Sequence, residues 1–457
     1  MVGAAAHRQM HAACKMAKPD VRNPSISYRV PAGRAGSMMT VLEKPSVTKA
    51  SHAEGGARRP VRRVLIYSHD TFGLGHLRRS RAIAHALVAG ASDLQVLIVS
   101  GSSVVDSFAF RPGVRYVRVP GVTKRTDGGY ASLDPAVPLD RTVAERTAII
   151  SRMAEAFDPD LAIIDKEPTG FHGEMLPTLR TLAARGCRLI LGLRDILDDA
   201  ALLVPEWQRK GGSEAVRAFY DEIWVYGVAR IHEPVAALAL GPEIEARLHY
   251  TGYLRREATR SAPVRHDAPA MPFLLVTPGG GGDGGGLIDW VIAAYEADPG
   301  IDLPALIAFG PFLEPRARRA FEARIARTDK LSAITFDSEI EVLMREAAGI
   351  VAMGGYNTFC EILSFDLPSL LVPRTEPRRE QLIRARAAEA LGLAQVLLEQ
   401  DGRDPLRMAA ALRALPRQAP PSRVVVPGLL DGLDVIRERV LGEAAPVAAL
   451  RRLGCRA

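Results

Sequence analysis

The sequence predicts an α/β protein made of two facing Rossmann-like domains, each with a parallel sheet, and a cleft between them. Three observations predict it. Short β-rich runs alternate with helical patterns from Val64 onward, the alternation restarts after a polar, proline-bearing stretch at 255–272, and glycine turns stand at the exits of several strands.

The first half has β-rich runs at 64–68, 95–100, 114–119, 161–165, 188–193 and 223–226. The second has them at 273–277, 305–309, 333–336, 349–353 and 369–372, followed by an amphipathic stretch near 429–441. Strands separated by helical patterns pair in parallel through crossover helices. The expected division is a basic tail over 1–60, an N-terminal domain over 61–260, a C-terminal domain over 261–425, and a last segment over 426–457 whose helix packs back across the domain junction. Two open sheets that face each other put ligands at the carboxyl ends of their strands.

Charge sorts the same way. Residues 1–60 hold ten Lys/Arg against three Asp/Glu, which is the whole formal charge of +7, and 49 of each sign remain from residue 61 onward. The tail lacks apolar periodicity, carries Pro19, Pro24, Pro31 and Pro45, and is expected to be disordered. The balanced remainder argues against nucleic acid as a partner. Cys14, Cys187, Cys360 and Cys455 are far apart and show no metal-ligand spacing, so a reduced, cytoplasmic protein without a metal is expected. No apolar run reaches the ~18 to 20 residues that span a bilayer, so any membrane contact, at the inner face, must be peripheral.

Four segments have the residue types that bind or activate substrates. The first strand runs into a turn with Gly73, Gly75 and His76, where backbone can approach a ligand and a helix begins. His76 has a suitable unperturbed pKa for a general base, although it can equally cap or pack. Asp165, at a strand end, is the second catalytic candidate, with a loop-capping role as the alternative. His172, Arg194 and Asp195 stand at similar exits with weaker claims.

The second half opens with seven glycines in the eight residues 279–286, directly after a strand. Gly279, Gly280, Gly281 and Gly282 are expected to cradle phosphate, a flexible linker being the alternative. No Gly-Lys-Ser/Thr follows, and the spacing is not the dinucleotide fingerprint, which removes support for ATP hydrolysis and NAD chemistry. In the third segment Gly354, Gly355, Tyr356, Asn357 and Thr358 can present amides and hydroxyls to a diphosphate, and Glu361 can accept from ribose hydroxyls. A plain helix cap explains Asn357 and Thr358 equally well. In the fourth, Arg374 suits phosphate, and Glu380 and Gln381 suit sugar hydroxyls, while Arg378, Arg384 and Arg386 read as a solvated, salt-bridged helix surface.

The glycine loop, the run Gly354 to Glu361, and Pro373-Arg374 through Glu380-Gln381 together resemble the donor half of glycosyltransferase family 28, which includes the lipid II-forming N-acetylglucosaminyl transferase. The resemblance spans about residues 61–440. It implies a GT-B fold, a nucleotide-sugar on the C-terminal domain, an acceptor on the N-terminal one, and no bound metal or other cofactor. It further implies that Glu361 holds the ribose, that Gly279 to Gly282 and Gly355 to Thr358 face the diphosphate, and that Glu380 and Gln381 contact the donor sugar. UDP is the expected donor base, and the acceptor is a glycan, a lipid-linked molecule or a small molecule. The form Gly73-Leu74-Gly75-His76-Leu77-Arg78-Arg79 also resembles a UDP-sugar hydrolase, so hydrolysis, or binding without turnover, stands as the alternative to transfer.

Overall fold

The computed structural model describes residues 60–69, 75–125, 129–257, 272–279, 282–335, 337 and 340–442. The expected tail, apart from Pro60, lies outside the described residues, as do Gly73, Gly280, Gly281 and most of the stretch expected to join the two halves.

The strands are β1 (Arg63–Ser68), β2 (Gln95–Ser100), β3 (Val114–Arg118), β4 (Val122–Lys124), β5 (Tyr130–Ser132), β6 (Leu161–Asp165), β7 (Arg188–Arg194), β8 (Glu222–Tyr226), β9 (Leu248–Tyr250), β10 (Leu274–Thr277), β11 (Ala305–Ala308), β12 (Leu331–Ile334), β13 (Gly349–Ala352), β14 (Ser369–Leu371) and β15 (Gln395–Val396). The α-helices are α1 (Gly75–Gly90), α2 (Leu139–Phe157), α3 (Leu176–Ala184), α4 (Ala200–Arg209), α5 (Gly212–Phe219), α6 (Pro242–Glu245), α7 (Gly285–Ala297), α8 (Pro315–Ile325), α9 (Ile340–Glu346), α10 (Tyr356–Ser364), α11 (Glu380–Ala390), α12 (Pro405–Ala414) and α13 (Gly432–Leu441).

The central strands are continuous apolar runs because helices cover both faces of each sheet. Val64, Leu65, Ile66 and Tyr67 of β1 are all buried, as are Leu274 to Val276 of β10. Seven parallel strands form the first sheet in the order β3-β2-β1-β6-β7-β8-β9, and six form the second in the order β12-β11-β10-β13-β14-β15. The order reverses between β1 and β6 in one sheet and between β10 and β13 in the other. A ligand crevice opens at such a reversal, where the loops leave in opposite directions. The glycine turns of the sequence therefore stand at the two places where an open sheet binds ligands.

The strand expected at 333–336 lies two residues earlier, because Leu331 sits opposite Ala305 of β11. Phe336 lies outside the described residues. The short strands β4, β5, β9 and β15 were not anticipated: runs of two or three residues are too short to show a readable period. One buried cluster joins the halves, with Tyr226, Tyr253 and Leu254 beside Tyr356, Phe359 and Cys360. Cys187 and Cys360 are both buried free thiols.

The last helix, α13, packs on the first sheet's side. A Cβ on Gly90 of α1 would collide with the Arg437 side chain. Arg188 donates to the Arg439 carbonyl at 2.9 Å, and Arg439 reaches Glu222 of β8 at 3.0 Å.

Candidate functional site

His76 lies in the first turn of α1, and Arg79 follows one turn later on the same face. Asp165 ends β6, the strand beside β1. These placements bring the three side chains together. His76 Nδ1 is 2.5 Å from Asp165 Oδ2, while Arg79 donates Nε to Oδ1 at 3.0 Å and Nη2 to both carboxylate oxygens at 2.6 and 2.8 Å.

Arg79 Nη2 also lies 2.9 Å from His76 Nδ1. Two lone pairs do not face each other at 2.5 Å, so the shorter carboxylate contact calls for a proton on Nδ1, and the Arg79 Nη2 beside it is then spent on Asp165 and makes no hydrogen bond to the ring. Nε2 is then the unprotonated nitrogen. Burial pulls the His76 pKa down to about 4, against the upward pull of Asp165, so the imidazole is neutral near pH 7. Burial raises the Asp165 carboxyl, but Arg79 and His76 outweigh it and hold the group well below the usual carboxylate range. The arrangement is a neutral histidine with an ionised acid behind it, the pairing a general base needs.

Directly beyond stands the turn between β13 and α10. Gly354 has φ +75°, the left-handed region that favours glycine, and its carbonyl accepts from Arg384 at 2.9 Å. Gly355 is the helix N-cap and makes no side-chain cap, so the first amides of α10 keep their capacity for an anion. A Cβ on Gly355 would meet nothing within 4 Å. Gly279, at φ +93°, brings the β10 exit to the same place, since a Cβ there would lie 4.0 Å from Thr358 Oγ1. At Gly282 a Cβ would press on the Phe312 carbonyl at 3.0 Å.

Several expected donor residues make contacts that the sequence did not reveal. Asn357 caps nothing with its side chain: Nδ2 donates to the Gly75 carbonyl at 2.9 Å, and Oδ1 accepts from Arg256 at 2.8 Å. That bridge ties the turn after β13 to the start of α1. Tyr356 is buried between the guanidinium groups of Arg79 and Arg384, 5.4 and 5.9 Å from its ring centre. Glu361 is 1% exposed and pairs with Arg78 at 2.7 Å, and Arg78 also reaches Glu341 at 2.5 Å. Burial pushes the Glu361 carboxyl up to about 7, Arg78 opposing and Glu341 reinforcing the shift.

Arg374 donates to Asp283 at 2.6 Å and to Glu380 at 2.7 Å, and its amide donates to Gln381 Oε1 at 3.0 Å. This group ties the glycine loop to the start of α11. A phosphate would have to replace one of those carboxylates on Arg374.

The expectation of a solvated surface fails for Arg384. It is fully buried, and its Nε and Nη2 grip Asp195 at 2.7 and 2.6 Å, so this arginine of α11 holds the exit of β7. Arg378, by contrast, is part exposed and reaches Asp198 at 2.6 Å and Glu206 at 2.8 Å. It and Arg386, which pairs with Glu389 at the surface, behave as expected. Arg78, Arg79 and Lys166 were missed as site residues. The i, i+3 spacing of His76 and Arg79 was the available signal for one of them. His172, at φ 49°, packs its ring on Phe171 rather than joining the His76 group.

Residues 307–420 match the glycosyltransferase family 28 C-terminal domain. Among solved structures, the chain is similar to the glycosyltransferase of kitacinnamycin, with TM-score 0.54, 15% identity, and coverage of 84% of this chain and 95% of that one. The fold is GT-B. A UDP-N-acetylglucosamine 2-epimerase has TM-score 0.55 at 12% identity, covering 84% of this GT-B chain and 95% of its own. For Phytolacca americana UGT2, complexed with UDP-2fluoro-glucose and pterostilbene, the values are 0.53, 13%, 84% and 94%. No curated protein matches in sequence. The expected fold and the resemblance to family 28 both hold, and at these identities the structures speak for architecture alone.

Proposed function

We propose that this GT-B protein is a glycosyltransferase that moves a sugar from a nucleotide-sugar, UDP-linked by expectation, to an acceptor hydroxyl without a bound metal. One observation carries the reading. A neutral histidine backed by a carboxylate stands at the reversal of one sheet, and an uncapped helix start stands at the reversal of the other, joined by the 2.9 Å bond from Asn357 to Gly75.

In this mechanism His76 Nε2 takes the acceptor proton as the acceptor oxygen attacks the anomeric carbon. The bond from that carbon to the diphosphate breaks, and the electron pair leaves with phosphate. The α10 amides and the Gly279 turn face the developing charge, the part a cation plays elsewhere. Asp165 positions His76 and stabilises the imidazolium. Glu361 holds the ribose once it exchanges Arg78 for the sugar hydroxyls, and Glu380 and Gln381 meet the donor sugar.

The test is a melting panel of UDP-, GDP- and dTDP-sugars, followed by assays of nucleotide release with and without acceptors after dialysis against EDTA. A ligand that binds only the native state raises the melting temperature. The expected result is a shift with one nucleotide class and acceptor-dependent release that survives EDTA. Free sugar appearing equally without acceptor assigns hydrolysis instead, and no shift with any nucleotide-sugar overturns the reading.

A further inference from the structure

We propose that Lys166 and Arg194, at neighbouring strand exits beside the His76 and Asp165 pair, form an anion subsite for a carboxylate or phosphate on the acceptor. The inference rests on the glycosyl-transfer reading and gives the acceptor a chemical class.

Lys166 directly follows β6, and its amide donates to the carbonyl of Gly192 in β7 at 2.7 Å, two residues before Arg194 ends that strand. Its φ is 70°, a left-handed conformation that is unfavourable for a lysine and that the surrounding structure must hold in place.

The nearby carboxylates are already engaged. Asp195 is held by Arg384 at 2.6 and 2.7 Å and by the Tyr253 hydroxyl at 2.7 Å. Asp165 belongs to Arg79 and His76. Asp198 belongs to Arg378, and Glu380 to Arg374. Glu167 lies 3.6 Å from Lys166 but only 3.0 Å from Lys210. Among the described residues no carboxylate pairs with Arg194, and its buried Nε has no hydrogen-bond partner.

Lys166, whose carboxylate partner Glu167 is shared with Lys210, and Arg194, which has none among the described residues, thus stand at neighbouring strand exits with much of their hydration removed. Burial lowers the pKa of both; Arg79 and Arg384 add to the effect on Arg194 with Glu380 and Asp195 opposing, and Arg194 and Lys210 add to it on Lys166 with Glu167 and Glu206 opposing. A desolvated cation without a partner is unfavourable, and an anion placed between the two supplies the missing counter-charge. The acceptor is the favoured source of that anion. Both cations leave the sheet that carries His76, whereas the donor diphosphate has the helix start and glycine turns of the opposite sheet.

The probe is inorganic phosphate, titrated by thermal melting into protein saturated with UDP so that the donor loops are already filled. The wild type should show a further, saturable rise in melting temperature. Arg194→Gln and the double variant Lys166→Gln/Arg194→Gln should lose that rise while keeping the UDP shift, and Arg194→Lys should weaken it in part. Each melt also reports whether the variant folds, and Arg194→Lys retains the charge should the glutamine variants fail to fold. No further rise in the wild type, or a rise that persists in the double variant, overturns the proposal. Loss of the UDP shift itself in the variants assigns the cations to the donor diphosphate and overturns it too. If the wild type shows no UDP shift, the donor reading falls alone, and phosphate is titrated into the free protein. There, a rise abolished by the double substitution sustains the subsite, and any other result overturns it.

Discussion

The burial of His76 predicts how turnover responds to acid. A histidine at the ordinary pKa of 6.5 is only about 9% neutral at roughly pH 5.5, whereas one held at about 4 is about 97% neutral there. A general base must be neutral to accept a proton, so the acid limb should lie near 4, and turnover at saturating donor should barely change between about pH 7.5 and 5.5. Saturation matters because Glu361, the proposed ribose ligand, titrates in this window. Asp165→Asn sharpens the test. Asp165 raises the His76 pKa, so its loss moves the acid limb lower, not higher. It also removes the acceptor that fixes the proton on Nδ1, and turnover should fall on the order of 10²–10⁴-fold. Arg79 would then be buried without its carboxylate, at a cost of about 3–5 kcal/mol, so the variant is to be compared at a temperature where both proteins are folded. The assay is turnover against pH for wild type, His76→Ala and Asp165→Asn. An acid limb near 6.5, with roughly tenfold loss at pH 5.5, would refute the reasoning, as would undiminished turnover in His76→Ala.

Three further outcomes follow from particular contacts. As the proposed ribose ligand, Glu361 accepts at both oxygens and most strongly when ionised, so UDP affinity measured calorimetrically should weaken as pH falls through about 7, and Glu361→Gln should bind more weakly than the wild type above that pH. Arg384→Met leaves Asp195 buried without its cation and should cost about 3–5 kcal/mol in denaturant unfolding, part of which Arg384→Met/Asp195→Asn regains. Gly355→Ala has room for its methyl and should melt near the wild type while losing UDP affinity, whereas Gly354→Ala, at φ +75°, should cost about 1–3 kcal/mol on its own.

The sequence exposed those parts of the site that backbone makes. Gly354 and Gly355 at a strand exit, Gly279 after another and Gly75-His76 after a third are local patterns, each readable because a turn and a helix start use neighbouring residues. Side-chain partners were not readable in this way. Arg384 reads as surface because its neighbours Arg378 and Arg386 are polar and the helix pattern around it is charged, yet its partner Asp195 is 189 residues away. Asn357 reads as a cap because that is the usual work of an asparagine at a helix start, while its actual acceptor lies in α1, 282 residues away. Glu361 reads as open to a ribose because nothing local closes over it, and Arg78 does so from the other sheet.

By itself the sequence determined two open parallel sheets and the turns at their exits, since apolar runs, helical periods and glycines act over a few residues. Tertiary structure alone decided which charges are neutralised: Asp165 by Arg79, Asp195 by Arg384, Glu361 by Arg78, with the Arg194 Nε left without a partner. The reason is range. Backbone conformation follows from adjacent atoms, whereas the pKa and partner of a buried side chain depend on whatever the fold carries to within a few ångströms, from any distance along the chain.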